Sequence, residues 1–201
     1  MFQRTRLTQE HHTQIDKQQN SDYKLCAMKC ETGHPITETI KKLVRGMCHN
    51  LEQLEIEDHF KSGKLTITMT PHADDYRIIC GTKGGRINAL KLLVKMGGDV
   101  ARIKTDIRLI SSGKGERSPN NDVFVGQPDF DKDGLDELVH EICDMAGIYG
   151  AIELEEDDLT HRTTIEIASS NPEEDLAVHG LRELLYSYGF KNGRKIEVKT
   201  Q

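Results

Sequence analysis

The chain has 201 residues, 36% hydrophobic and 30% charged, with a net charge of −6 and no Trp. That length fits one large domain or two small ones. No apolar run approaches the roughly 18 residues of a membrane span, and the opening MFQRTRLTQEHHTQ lacks a signal-peptide core, so a soluble, cytoplasmic protein is expected.

The five cysteines, an odd number spread along the chain, point to reduced thiols rather than a disulfide framework. The charge is divided unevenly: residues 1–117 carry 20 Lys+Arg against 14 Asp+Glu, and residues 118–201 carry 7 against 19. A first half of +6 suits a polyanion, and a second half of −12 implies a different partner.

In chain order, residues 1–22 are polar without a period and read as a flexible arm. Ile36, Ile40, Leu43, Val44 and Met47 then recur at helical spacing behind Pro35. LEQLEIE and KLTITMT alternate with period two and, joined by DHFKSG, predict a hairpin. ADDYRIIC is compatible with a helix whose first turn carries Asp74 and Asp75. A glycine-rich loop follows. Ile87, Leu90, Leu93 and Val94 predict another helix, stopped at Gly97–Gly98, and VARIKTDIRLI reads as a third strand.

Residues 113–133, rich in Gly, Ser, Pro, Asn and Asp, read as a linker. The order then returns: a helix over GLDELVHEICDMAG, strands over GAIELEEDDL and HRTTIEIAS, and a helix opened by Asn171, Pro172 and three acids. A last strand covers RKIEVKT. KLTITMT and RTTIEIA begin at residues 64 and 162 (162 − 64 = 98), so one αββ(α)αβ unit is repeated. The second copy is shorter and has no glycine loop.

That loop, Gly81-Thr82-Lys83-Gly84-Gly85-Arg86, carries the most specific chemistry in the chain. Two glycines around two residues let backbone turn sharply and come close to a sugar–phosphate chain, and the next helix starts with free N–H groups. Arg77, Lys83, Arg86, Lys91 and Lys95 supply positive charge there, and Asn88 a polar amide. There is no GxxxxGK[ST] loop and no GxGxxG, so nucleotide hydrolysis lacks its motif.

Ile78-Ile79, then GTKG, then Ile87 and Leu90, within an αββααβ order over about residues 35–111, resembles the KH domain signature in its type II form. Cys80 departs from the aliphatic residue usual before the first glycine, and Gly85 is an addition. The resemblance implies that Gly81, Thr82, Lys83, Gly84 and Arg86 meet phosphates. It also implies bases on an apolar groove near Ile78, Ile87 and the strand Thr66–Thr70. The aromatic-poor composition, five Phe and five Tyr, fits such a groove better than the stacking platforms of OB-type binders.

Other constellations are weaker. Cys26-x3-Cys30-x3-His34 and Cys48-His49 depart from CxxC zinc spacing, so buried thiols are the simpler reading and no metal is assigned. His72 with Asp74-Asp75 has no nucleophile at fixed spacing, so no catalytic residue is assigned. His179 reads as packed or exposed. The acidic run Glu153–Asp158 reads as a solvated hairpin end or a protein-docking face, and like charge keeps it from phosphate.

The expectation is an α+β protein of tandem KH-like αββααβ modules, the second without GxxG: arm 1–22, KH-like domain 23–112, linker 113–133, acidic KH-like domain 134–201. It is expected to be a non-enzymatic binder of single-stranded DNA or RNA without a cofactor, an accessory factor of transcription, replication or RNA handling. A protein partner, a polymerase or a second copy, is expected on the acidic half. The alternative is a scaffolding protein of the same fold.

Overall fold

The computed structural model describes residues 33–111, 131–157, 159–169 and 171–200. The polar arm, Cys26, Cys30, Lys114, Arg117 and most of the linker lie outside the described residues. The rest is α+β, with five α-helices and two three-stranded sheets. Among the described residues no helix is long and apolar enough to cross a membrane.

Helix α1 (Pro35–Met47) buries Ile36, Ile40, Leu43, Val44 and Met47, the stripe its spacing predicts. Strands β1 (Glu55–Lys61) and β2 (Lys64–Thr70) form the hairpin. Helix α2 (Ala73–Cys80), the glycine loop and helix α3 (Gly85–Ala101) lead to β3 (Lys104–Leu109), which pairs parallel to β2. The second half has α4 (Lys132–Ala146), β4 (Ile152–Asp157), β5 (Arg162–Ile167), α5 (Pro172–Lys191) and β6 (Lys195–Thr200). Its sheet has the same order and senses as the first: β4–β5 antiparallel, β5–β6 parallel.

Three boundaries differ from the sequence reading, each for a physical reason. Leu51–Gln53 is a 3-10 turn, and β1 runs through Asp58-His59-Phe60-Lys61, leaving only Ser62 (φ 53°) and Gly63 (φ 74°) as the turn. Two successive left-handed residues make the tight hairpin turn whose twist matches the strands. β1 is an edge strand, so its polar residues have the composition of a loop. Second, Gly97 and Gly98 do not stop α3. A Cβ on Gly98 would lie 2.5 Å from Thr105 Cγ2 and 2.9 Å from the Ile103 carbonyl oxygen, so Gly98 admits β3 to the helix, while Gly97 makes room for Met145. The stop is Arg102 in left-handed conformation (φ 55°), with the Ile103 N–H closing on the Gly98 carbonyl. Third, α4 starts at Lys132, inside the expected linker, because the Asp131 carboxylate accepts the Gly134 N–H.

Asn171 caps α5 by accepting the Glu173 and Glu174 N–H groups, with Pro172 next, as the sequence indicates. α5 is one unbroken helix where the first half has α2, loop and α3.

The described residues from Pro35 onward form one compact unit, with a hydrophobic core drawn from both halves. Equivalent residues are set by constant shifts: 91 in the last helix and strand (Lys104 to Lys195), and 99 in the first helix (Ile40 to Val139). Ala89 of α3 corresponds to Gly180 of α5, and a Cβ on Gly180 would sit 3.1 Å from the Ala89 Cβ. Lys42 of α1 corresponds to Glu141 of α4, and the two form an ion pair. Positions that meet their own equivalents lie on a two-fold axis, so the halves are packed as an approximate two-fold dimer within one chain.

Candidate nucleic-acid interface

α2 is held at its start. His72 caps it by accepting the Asp74 N–H, and the fully buried Asp75 accepts the His49 and Asn50 N–H groups at 2.9 and 2.8 Å. Asp75 therefore ties α2 to the end of α1, a role beyond the helix-terminus reading. It also sits beside Cys48, whose thiol is pushed up to about 12 by burial and then by the Asp75 charge.

α2 ends on Gly81, at φ 68° and ψ 179°, a backbone region essentially reserved for glycine. A Cβ there would also lie 2.7 Å from Arg86 Cγ and 3.0 Å from the Arg86 backbone nitrogen. Thr82–Gly84 form one 3-10 turn in which Lys83 is left-handed (φ 53°, ψ 24°), followed by Gly84 (φ 79°). A left-handed lysine costs about 1–2 kcal/mol. Gly85 is different: it is helical, and a Cβ on it would meet nothing within 4 Å. Neither conformation nor internal packing calls for glycine at 85, so the backbone there is bare toward solvent.

α3 begins without a side-chain cap and without an acid in its first turn. The other four α-helices all carry acid there. The Gly84 and Gly85 N–H groups close onto the Gly81 and Thr82 carbonyls within the turn, and no side chain or acid neutralises the positive end of α3.

The expected site residues separate into groups. Gly81, Thr82, Lys83, Gly84, Gly85 and Asn88 gather at the start of α3, with Lys83 and Asn88 exposed. Arg77, Lys83 and Lys91 are exposed and make no ion pair among the described residues. Lys95 pairs with Asp99 at 3.2 Å. Arg86 turns inward: one guanidinium nitrogen donates to the Ile78 carbonyl at 2.9 Å, and its Nε is buried without a partner. It caps the C-terminal end of α2, where a cation is favourable. The expected base groove is divided. Ile78 and Ile87 are half-buried against the core with Leu65, Ile67 and Met69, while Thr66, Thr68 and Thr70 alternate with those buried residues and take the other sheet face.

A groove that the sequence reading missed lies beside the loop. Thr82, Gly85, Asn88, Ala89 and Leu92 form one wall and Leu176, His179, Gly180 and Glu183 of α5 the other, around a volume of about 510 Å³. The walls are equivalent positions, Gly85 with Leu176, Asn88 with His179, Ala89 with Gly180 and Leu92 with Glu183, so the groove straddles the two-fold axis. The 91-residue shift (195 − 104) was the signal that could have found it.

For metal, Cys48 is fully buried, and among the described residues no three His, Cys, Asp or Glu side chains stand together as a cation site. Set against known proteins, the chain matches no family model and no curated protein.

Proposed function

We propose that the chain is a non-enzymatic, single-stranded nucleic-acid-binding protein of tandem KH-like fold, with residues Gly81–Gly85 holding the sugar–phosphate backbone. The observation that carries this reading is the start of α3. An uncapped, acid-free helix end stands behind a loop whose Gly85 has open space and whose Lys83 is exposed. The positive end of α3 draws a phosphate toward the bare backbone at Gly85, and Lys83 adds a mobile charge. Lys91 continues the positive surface along α3. Arg86 contributes field and loop shape from behind rather than direct contact.

The αββααβ order with a parallel β2–β3 pair supports the type II KH-like reading of the first half. The second half is a copy that has exchanged loop and helix pair for one acid-capped helix. Glu173, Glu174 and Asp175 in its first turn repel phosphate where the first half attracts it. α4 and α5 of the acidic half pack against α1 and α3 of the first half. An outside protein partner is therefore assigned to its solvent side, where Leu159 is 96% exposed at the β4–β5 hairpin.

A titration panel of single-stranded DNA, RNA of the same sequence and the duplex, each at two salt concentrations, tests the reading. Single strands are expected to bind with a log–log salt slope of about −2 to −3, the value for three or four phosphate contacts. Equal preference for duplex would overturn the single-strand reading, and no binding at low salt favours the scaffolding alternative.

A further inference from the structure

We infer that the groove between α3 and α5 receives a nucleobase of the strand held at the glycine loop, so that the acidic half completes the site. This rests on the single-strand reading above. Thr82, Gly85 and Asn88 belong to both loop and groove, so a strand leaving the loop passes directly over it. The volume of about 510 Å³ lies within the range of small-ligand sites.

The lining has the chemistry of a base rather than of a phosphate. Ala89 and Gly180 make a floor without protruding side chains, and Leu92 and Leu176 make apolar walls. His179 and Glu183, one helical turn apart on α5, are exposed and make no hydrogen bond or ion pair among the described residues. An imidazole stacks on a base face, and a carboxylate accepts from an exocyclic amino group. The Glu183 charge excludes phosphate from the groove, as Lys83 attracts it to the loop. Cytosine and adenine present an amino donor to Glu183; thymine and uracil present a carbonyl. At the equivalent places of the first half stand Asn88 and Leu92, so the two-fold is broken where the ligand would lie.

The test uses the full-length chain with fluorescent tetra- and octanucleotides of cytosine or uracil. Replacing His179→Ala is expected to weaken octanucleotide binding about tenfold and leave tetranucleotide binding unchanged. Glu183→Gln should erase a preference for cytosine over uracil. An octanucleotide with one 5-iodouracil should crosslink to the peptide holding residues 176–183. If both variants bind like the parent and no crosslink maps to α5, while Lys83→Asp still abolishes binding, the groove is not a base site although the loop reading stands. If Lys83→Asp is also without effect, the loop reading fails and the groove assignment with it.

Discussion

Gly46 of α1 faces Tyr188 of α5, and a Cβ on Gly46 would run into the tyrosine ring. Their equivalents in the other half are Met145 and Gly97, which also face each other: a Cβ on Gly97 would be 3.0 Å from Met145 Cγ. Each copy of the contact pairs a large side chain with a glycine, but the large one comes from opposite members of the pair. With the Lys42–Glu141 ion pair on the axis, this makes the interface fit one half against the other rather than either against itself.

Gly46→Ala should therefore destabilise the fold by about 1–3 kcal/mol, the usual cost of overpacking a filled contact. Trimming the opposing ring with Tyr188→Leu should recover part of that loss. A double-mutant cycle by urea unfolding checks it, and strict additivity would show that the two residues do not meet.

Lys42→Glu should set like charges on the axis, with Glu137 nearby, and lower stability by about 0.5–1 kcal/mol in low salt. The exchange Lys42→Glu with Glu141→Lys should restore most of it. Thermal unfolding at low and high salt reads both, and the deficit should shrink as salt rises.

Gly81 and Gly85 should respond in opposite ways. Gly81→Ala meets both the positive φ and Arg86, and should cost about 2 kcal/mol or more. Gly85→Ala adds a methyl in open space on a helix, and should stabilise by about 0.5–1 kcal/mol while weakening strand binding. Gain of stability with loss of affinity is the signature of a glycine kept for a ligand.

Burial pushes the Cys48 and Cys143 thiols up to about 12, and pushes the Tyr188 phenol up as well. A folded pKa above the unfolded value gives stability that is complete below the unfolded pKa and lost as pH rises toward the folded one. Unfolding free energy should hold up to about pH 9 and fall steadily from there toward pH 12. Urea midpoints across that interval measure it, and a flat profile would mean that the thiols are exposed. Alkylation at pH 8 should spare Cys48 and Cys143 in the folded protein.

What was legible in the sequence was what periodicity encodes. The stripe Ile36, Ile40, Leu43, Val44 and Met47 faces the core, and Asn171-Pro172 opens α5. β1 was half hidden because an edge strand need not bury alternate residues, and Asp58-His59-Phe60-Lys61 imitates a loop. Gly97–Gly98 imitates a helix stop because glycines that end a helix and glycines that admit a neighbouring side chain or strand look alike in one dimension. Arg86 was placed at phosphate because its fold back onto the Ile78 carbonyl depends on the missing Cβ of Gly81. The α3–α5 groove joins residues about 90 positions apart, which no local pattern reports; only the repeat shift pointed to it.

The central claim is that the loop end of α3 holds the phosphates of a single strand. The most direct measurement is an anisotropy titration of a fluorescent octanucleotide with the parent protein and with Lys83→Asp, at 50 and 200 mM salt. The account predicts salt-sensitive binding by the parent and at least a tenfold loss in the variant at 50 mM, with folding unchanged because Lys83 is exposed and unpaired. Equal affinity of the two proteins at both salt concentrations would contradict it.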